Sequence, residues 1–127
     1  MSNNEHNPSI HHAIIFDQIQ TNIGDGYNKY SGVVHAPSSG VYFFIWTIYS
    51  GGSGETEVVL FVNDCIMGFT YSDTRSTGSY DSDSAFVVVH LNAHDNVYLR
   101  AGFDCSTSLI SNPFSGRTTF AGGKLFF

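Results

Sequence analysis

A chain of 127 residues is the length of one domain, long enough to bury a core without disulfide or metal staples. Hydrophobic residues make up 42% and charged residues only 13%, which excludes a disordered chain and leaves a surface poor in charge. Five Lys plus Arg against eleven Asp plus Glu give a net charge of −6, which argues against nucleic acid or an anionic membrane as partner and permits cation binding.

Residues 1–12, MSNNEHNPSIHH, read as a flexible lead-in to a globular part at 13–127. The lead-in has no basic n-region and no long apolar stretch, so it is not a signal peptide. Two readings stay open: a mature secreted chain given a start Met, or a protein made without a signal, which includes a cytoplasmic one. No run of 18 apolar residues occurs, so no transmembrane helix and no membrane insertion are expected. Strand-like runs rich in Val, Ile, Phe, Tyr and Thr then follow at 13–16, 32–35, 41–49, 57–62, 66–71, 85–91, 96–103 and 118–127. Between them lie PSSG, SGGSGE, ND, DTRSTGSYDSDS, NAHDN and CSTSLISNPFSGR, which carry the Gly, Asn, Asp, Ser and Pro that turns need. Helical periodicity is absent. Eight to ten short strands in one domain predict an all-β sandwich or barrel.

The run 41–49 breaks the usual alternation. Val41, Phe43, Ile45, Thr47 and Tyr49 lie on one face, and Tyr42, Phe44, Trp46 and Ile48 on the other. A strand apolar on both faces needs two covers. One is the domain's own core; the economical second is another copy of the chain. Tyr42, Phe43, Phe44 and Trp46 are therefore the candidate interface, and FVVVHL and the C-terminal KLFF belong to the same surface.

Read in order, IIFDQIQTNIGDGYN, SGVVHAPSSGVYFFIW, LFVND, FVVVHLNAHDNVYLRAG and TFAGGKLFF resemble the globular C1q domain over residues 14–127. The matching positions are Phe16; Asn22, Gly24 and Tyr27; Gly32; Pro37, Gly40, Tyr42 and Phe44; Asn63; Val88 and Leu91; Asp95, Val97 and Leu99; and Phe120 with Gly122. GGKLFF and NAHDN depart from the family's usual segments, and no collagen-like Gly-X-Y stalk is present. The resemblance implies a ten-strand C1q/TNF-like jelly-roll sandwich, a homotrimer and an extracellular home. It also implies non-enzymatic recognition of microbial surface glycans or other pathogen-associated ligands in innate immunity. Two alternatives stand beside this: a trimeric ligand for a protein receptor, and a metal-binding matrix or transport protein.

The acidic loop YSDTRSTGSYDSDS supplies hard oxygen ligands of the kind calcium takes. By the resemblance Asp73 and Asp81 match calcium-holding positions, and Asp83 joins them by proximity. His6, His11 and His12 of the lead-in could gather around a transition metal in a trimer. Ligand recognition would fall to loop residues that stack on sugar rings or bond hydroxyls and anions: Tyr71, Arg75, Tyr80, Asn92, Asp95, Asn112 and Arg117. The resemblance sets the strands that follow Cys65 and precede Cys105 side by side and antiparallel, making the two cysteines neighbours, as a disulfide or as thiols. Catalysis has little to stand on: GGSGE lacks the last Gly of a G-x-S-x-G elbow, and no H-E-x-x-H occurs.

Overall fold

The computed structural model describes residues 5–6, 13–52, 54–76, 80–102, 108–109, 111–112 and 116–126, with the backbone alone at 5–6, 108–109, 111–112 and 116–117. Every regular element among them is a strand: β1 (Glu5–His6), β2 (Tyr27–Asn28), β3 (Val33–His35), β4 (Gly40–Gly51), β5 (Glu55–Val62), β6 (Cys65–Asp73), β7 (Asp81–Leu91), β8 (Asn96–Ala101), β9 (Ser108–Leu109), β10 (Ser111–Asn112), β11 (Gly116–Arg117) and β12 (Thr119–Lys124). They make two five-stranded antiparallel sheets and a small β10–β11 hairpin. In the first sheet β4 pairs along one edge with β7 and along the other with β12 and β9, and β1 adds to β9. The second sheet runs β2-β3-β8-β5-β6.

Seven of the eight predicted runs lie on strands, most of them shifted by a residue or two. The exception is 13–16. Ala13 makes a single bridge to Arg100 and the Ile14 N–H donates to the Leu99 carbonyl, after which the chain leaves the sheet. The Phe16 N–H turns instead to the Tyr27 hydroxyl at 2.8 Å, while Ile14 and Phe16 bury their side chains. Within residues 1–12, read as a lead-in, Glu5 and His6 pair with β9.

Local chemistry explains the turns. Asn63 and Asp64 both adopt positive φ (46° and 71°), the two-residue type I′ geometry whose twist matches a hairpin, and they join β5 to β6. Asn22 grips Tyr27 twice, its Nδ2–H on the Tyr27 carbonyl (2.8 Å) and its Oδ1 receiving the Tyr27 N–H (3.1 Å), which closes the loop around Gly24 at φ 83°.

The core lies between the sheets. Tyr42, Phe44, Trp46 and Ile48 of β4 meet Val58, Leu60 and Val62 of β5 and Val97 and Leu99 of β8, with Ile14, Phe16 and Leu91 closing the ends. Three of the four expected interface residues, Tyr42, Phe44 and Trp46, are therefore spent on the chain's own core. Only Phe43 faces outward, because strand parity puts alternate residues on opposite faces.

The cysteine expectation also needs correcting. β5 separates β6 from β8, pairing antiparallel with both, so β6 and β8 run parallel to each other. Val62 lies level with both Cys65 and Val97, which sets the start of β6 beside the start of β8 rather than its end. Cys65 is exposed and free. Cys105 lies outside the described residues.

Candidate functional site

The outward face of the first sheet is the most unusual surface of the molecule. β7 turns Phe86 (61% exposed) and Val88 (51%) outward, opposite Ile45 (39%) and Phe43 of β4, and the rings of Phe43 and Phe86 stack at 6.2 Å. On the far side of β4 the same rungs end in Ala121 and Gly123 of β12. Toward one end the rungs become hydroxyls: Thr47 Oγ1 and Ser84 Oγ lie 2.7 Å apart. β4 and β7 thus share the surface, as FVVVHL suggested, together with β12, which holds only Lys124 of the KLFF segment. None of the outward positions on the three strands is Asp, Glu, Lys or Arg.

The second sheet presents a different outer surface. Phe61 and Tyr98 stack at 5.4 Å, and the Arg100 guanidinium lies 4.5 Å from the Tyr98 ring centroid. Beside them β6 exposes Ile66, Met67, Phe69 (63%) and Tyr71. Of this strip only Tyr71 was among the residues picked from the sequence. On β6 the pattern is inverted: Thr70 and Ser72 point inward and the aromatics outward. The buried hydroxyls are satisfied, since Ser72 Oγ donates to Asp81 at 2.7 Å and lies 3.2 Å from Ser50 Oγ. One signal was available: Thr and Ser alternating with aromatics opposite a strand that ends in Asp and Ser.

Parity also divides the acidic loop. Asp73 is on the outward side of β6, where it takes two hydrogen bonds from the Arg75 guanidinium (Nε 3.0 Å, Nη2 2.7 Å) and one from the Arg75 N–H. Those bonds hold its carboxyl below the usual Asp range, and they raise the guanidinium. Arg75 also reaches Glu55, 2.6 Å away, so it bridges two carboxylates that face each other across β5 and β6. Asp81 and Asp83 are on the inward side of β7. Burial, and then the charge of Asp81, push the Asp83 carboxyl up. Asp81 and Asp83 thus come together and Asp73 does not join them. Among the described residues no three His, Cys, Asp or Glu side chains converge as a metal site.

The five ligand candidates whose side chains are described do not gather at one place either. Tyr71, Arg75 and Tyr80 are near the end of the sandwich where β5 begins and β7 starts, with Tyr80 stacked on Tyr49 at 5.7 Å. Partial burial and the carboxylates of Glu55 and Asp73 raise the Tyr71 phenol. Asn92 and Asp95 are at the opposite end, in the turn from β7 to β8. There Asp95 receives the Asn63 side-chain amide and the Asn92 N–H, both at 2.8 Å. These bonds depress its carboxyl and lock the turn, which is a structural role. Asn112 and Arg117 fall on β10 and β11, where the backbone alone is described; His11 and His12 lie outside the described residues.

The domain is thus built of two facing antiparallel sheets, the first with a largely apolar outer face free of Asp, Glu, Lys and Arg on β4, β7 and β12. The chain belongs to the C1q domain family, whose model matches residues 1–124. It is 31% identical over 114 residues to Complement C1q tumor necrosis factor-related protein 3 of Mus musculus and of Homo sapiens, a match that covers 90% of this chain and 45% of each relative. With Complement C1q tumor necrosis factor-related protein 7 of Mus musculus it shares 27% identity over 113 residues, covering 89% of this chain and 38% of that protein. The chain thus spans less than half the length of these curated relatives. Its fold matches the globular domain of zebrafish complement 1qA protein with a TM-score of 0.69 at 13% identity, over 98% of this chain and 94% of that one. It matches the Eiger TNF of S. frugiperda at 0.68 and 18% identity, over 98% and 91%. The C1q/TNF jelly roll expected from the sequence is the fold observed.

Proposed function

We propose that the chain is a non-enzymatic recognition module that works outside the cell as a homotrimer and binds microbial surface glycans or other multivalent ligands. The observation that carries the reading is the uncharged apolar outer face of β7, β4 and β12. Such a face is costly in water, at about 25 cal/mol per Å², and association of copies removes that cost. C1q/TNF-like domains typically form trimers. Three copies would present three ligand sites together, so that weak single contacts combine into useful avidity. Light scattering at micromolar concentration should give three chain masses, and a glycan array run with calcium and with chelator should give discrete sugar hits. A persistent monomer refutes the assembly; an array without hits refutes the glycan.

One observation favours a second reading, a trimeric ligand for a protein receptor. Exposed Ile66 and Phe69 on β6 suit a protein surface better than a sugar. For calcium the proposal narrows to Asp81 and Asp83, whose oxygens have the right chemistry and whose mutual repulsion a cation would relieve. Asp73 does not fit, being held by Arg75. Calcium at about 100 times its Kd should then add about 2.7 kcal/mol per site. Melting curves with calcium and with EDTA that coincide, for wild type and Asp81→Ala alike, remove the metal from the account.

A further inference from the structure

The outward positions of β4, β7 and β12 hold one side chain of the kind that changes charge between pH 5 and 8, and it is His90. His90 is the last outward residue of β7. It is exposed, stands opposite Val41, and continues the line of Phe86 and Val88. The other ionisable side chain on this face, Tyr49, is at the opposite end of β4.

The charged groups around His90 come from neighbouring elements. Asp95, in the turn from β7 to β8, feels the charge of His90, but its carboxylate already receives the Asn63 amide and the Asn92 N–H. His94 of the same turn is exposed. Lys124 ends β12 on the far side of β4, with its ammonium 2.8 Å from Ser38 Oγ and over the Phe126 ring. Among the described residues the acid that feels the charge of His90 is thus Asp95, which sits in the turn and not on the face.

We propose that His90 makes assembly through this face sensitive to pH: between copies of the chain the imidazole is buried neutral, and its protonation drives the copies apart. This rests on the trimer reading above. A charge stripped of water opposes association where the outward positions of the face hold no Asp or Glu to pair with it. Free chains then bind protons in preference to the assembly, and acid pulls the equilibrium toward free chains. With one His90 per copy, the trimer association constant falls by up to about a thousandfold per pH unit over the range in which free chains are protonated and the assembly is not.

The test is sedimentation velocity on the full chain from pH 8 to pH 5 near the dissociation concentration, with circular dichroism to confirm that the sheets persist. Wild type and His94→Gln should be trimers at pH 7.5 and dissociate, still folded, within the acid part of that range. His90→Gln, which stays polar and cannot be charged, should remain trimeric throughout. A wild-type trimer as tight at pH 5 as at pH 7.5 overturns the inference, as does parallel dissociation of His90→Gln. A monomer at pH 7.5 overturns it together with the trimer reading, so the two failures are distinguishable.

Discussion

The two sheets share one core but present opposite surfaces to the outside. On the β7–β4–β12 face the outward residues are apolar or hydroxylic, and none is Asp, Glu, Lys or Arg. On the β8–β5–β6 face aromatics are exposed too, but they are interleaved with charge. Arg100 lies over Tyr98 and Phe61, Glu57 stands opposite Tyr71, and Arg75 bridges Glu55 and Asp73. Exposed apolar area alone does not separate the two, since Phe69 and Phe86 are equally exposed. Charge does: a guanidinium or carboxylate among aromatics keeps a surface compatible with water, whereas a contiguous apolar face without them has the character of a candidate contact surface.

A single carboxylate placed on each surface breaks or sustains that contrast, with the largest effects expected here. Phe44→Asp puts an unpaired charge in the core and should unfold the domain, at a cost of more than about 4 kcal/mol. Phe43→Asp and Phe86→Asp change only the uncharged face and should leave a folded chain that no longer assembles, with a loss of about 2 kcal/mol or more of association energy per copy. Phe69→Asp adds the same charge to the other sheet and should leave both fold and mass unchanged. Circular dichroism and light scattering on the four variants read this directly. If Phe69→Asp dissociated the assembly while Phe86→Asp did not, the assembly face would have been assigned to the wrong sheet.

How much of this was legible follows from parity. β4 showed its two apolar faces in plain sequence, and the need for a second cover followed from them. Which face met the core did not follow, because Phe43 and Phe44 are the same residue type and only pairing with β7 and β12 fixes which points inward. β6 was misleading in the other direction. A pattern rule would bury Phe69 and Tyr71, but the inward positions go to Thr70 and Ser72, because this edge strand meets the polar end of β7 at Asp81. The acidic loop read as one cluster since its residues are close along the chain. The fold splits it by placing Asp73 on an outward position and Asp81 and Asp83 on inward ones. The cysteine expectation assumed that β6 and β8 lie side by side, and topology, which no local pattern records, puts β5 between them.

The contrast belongs to the outer surfaces alone, and two glycines whose Cβ would point at core rings test that limit. A Cβ at Gly122 of β12 would meet the Phe44 ring and come 2.9 Å from the Phe43 carbonyl oxygen; one at Gly68 of β6 would come 2.9 Å from Trp46 Cη2. At both positions an added methyl has no room. Gly122→Ala and Gly68→Ala should each destabilise by about 1–3 kcal/mol through overpacking. Denaturant melts give the value, and assembly at temperatures where the variants remain folded should be untouched. A loss of trimer without loss of stability in Gly122→Ala would mean that β12 reports on the outer face after all.

The smallest effect should come from Arg75, and it is the most specific to the charged sheet. Arg75→Ala leaves Glu55 and Asp73 facing each other across β5 and β6, a like-charge pair that costs stability. All three groups are at the surface, so the loss should be small and should fade as salt rises past physiological strength, where charges are screened within about 8 Å. The pH dependence gives it a signature. The guanidinium holds the Asp73 carboxyl below its ordinary value, so its contribution is fully present above the usual Asp range and is lost as the pH falls through the lowered native value. Wild type should therefore lose stability through that acid window, and Arg75→Ala should lose less, so the two curves converge at low pH. Melting temperatures from pH 7 to pH 2 at low salt measure the gap. A gap that stays constant with pH and salt would mean that Arg75 acts through packing of its side-chain stem, and that charge is not what distinguishes this face.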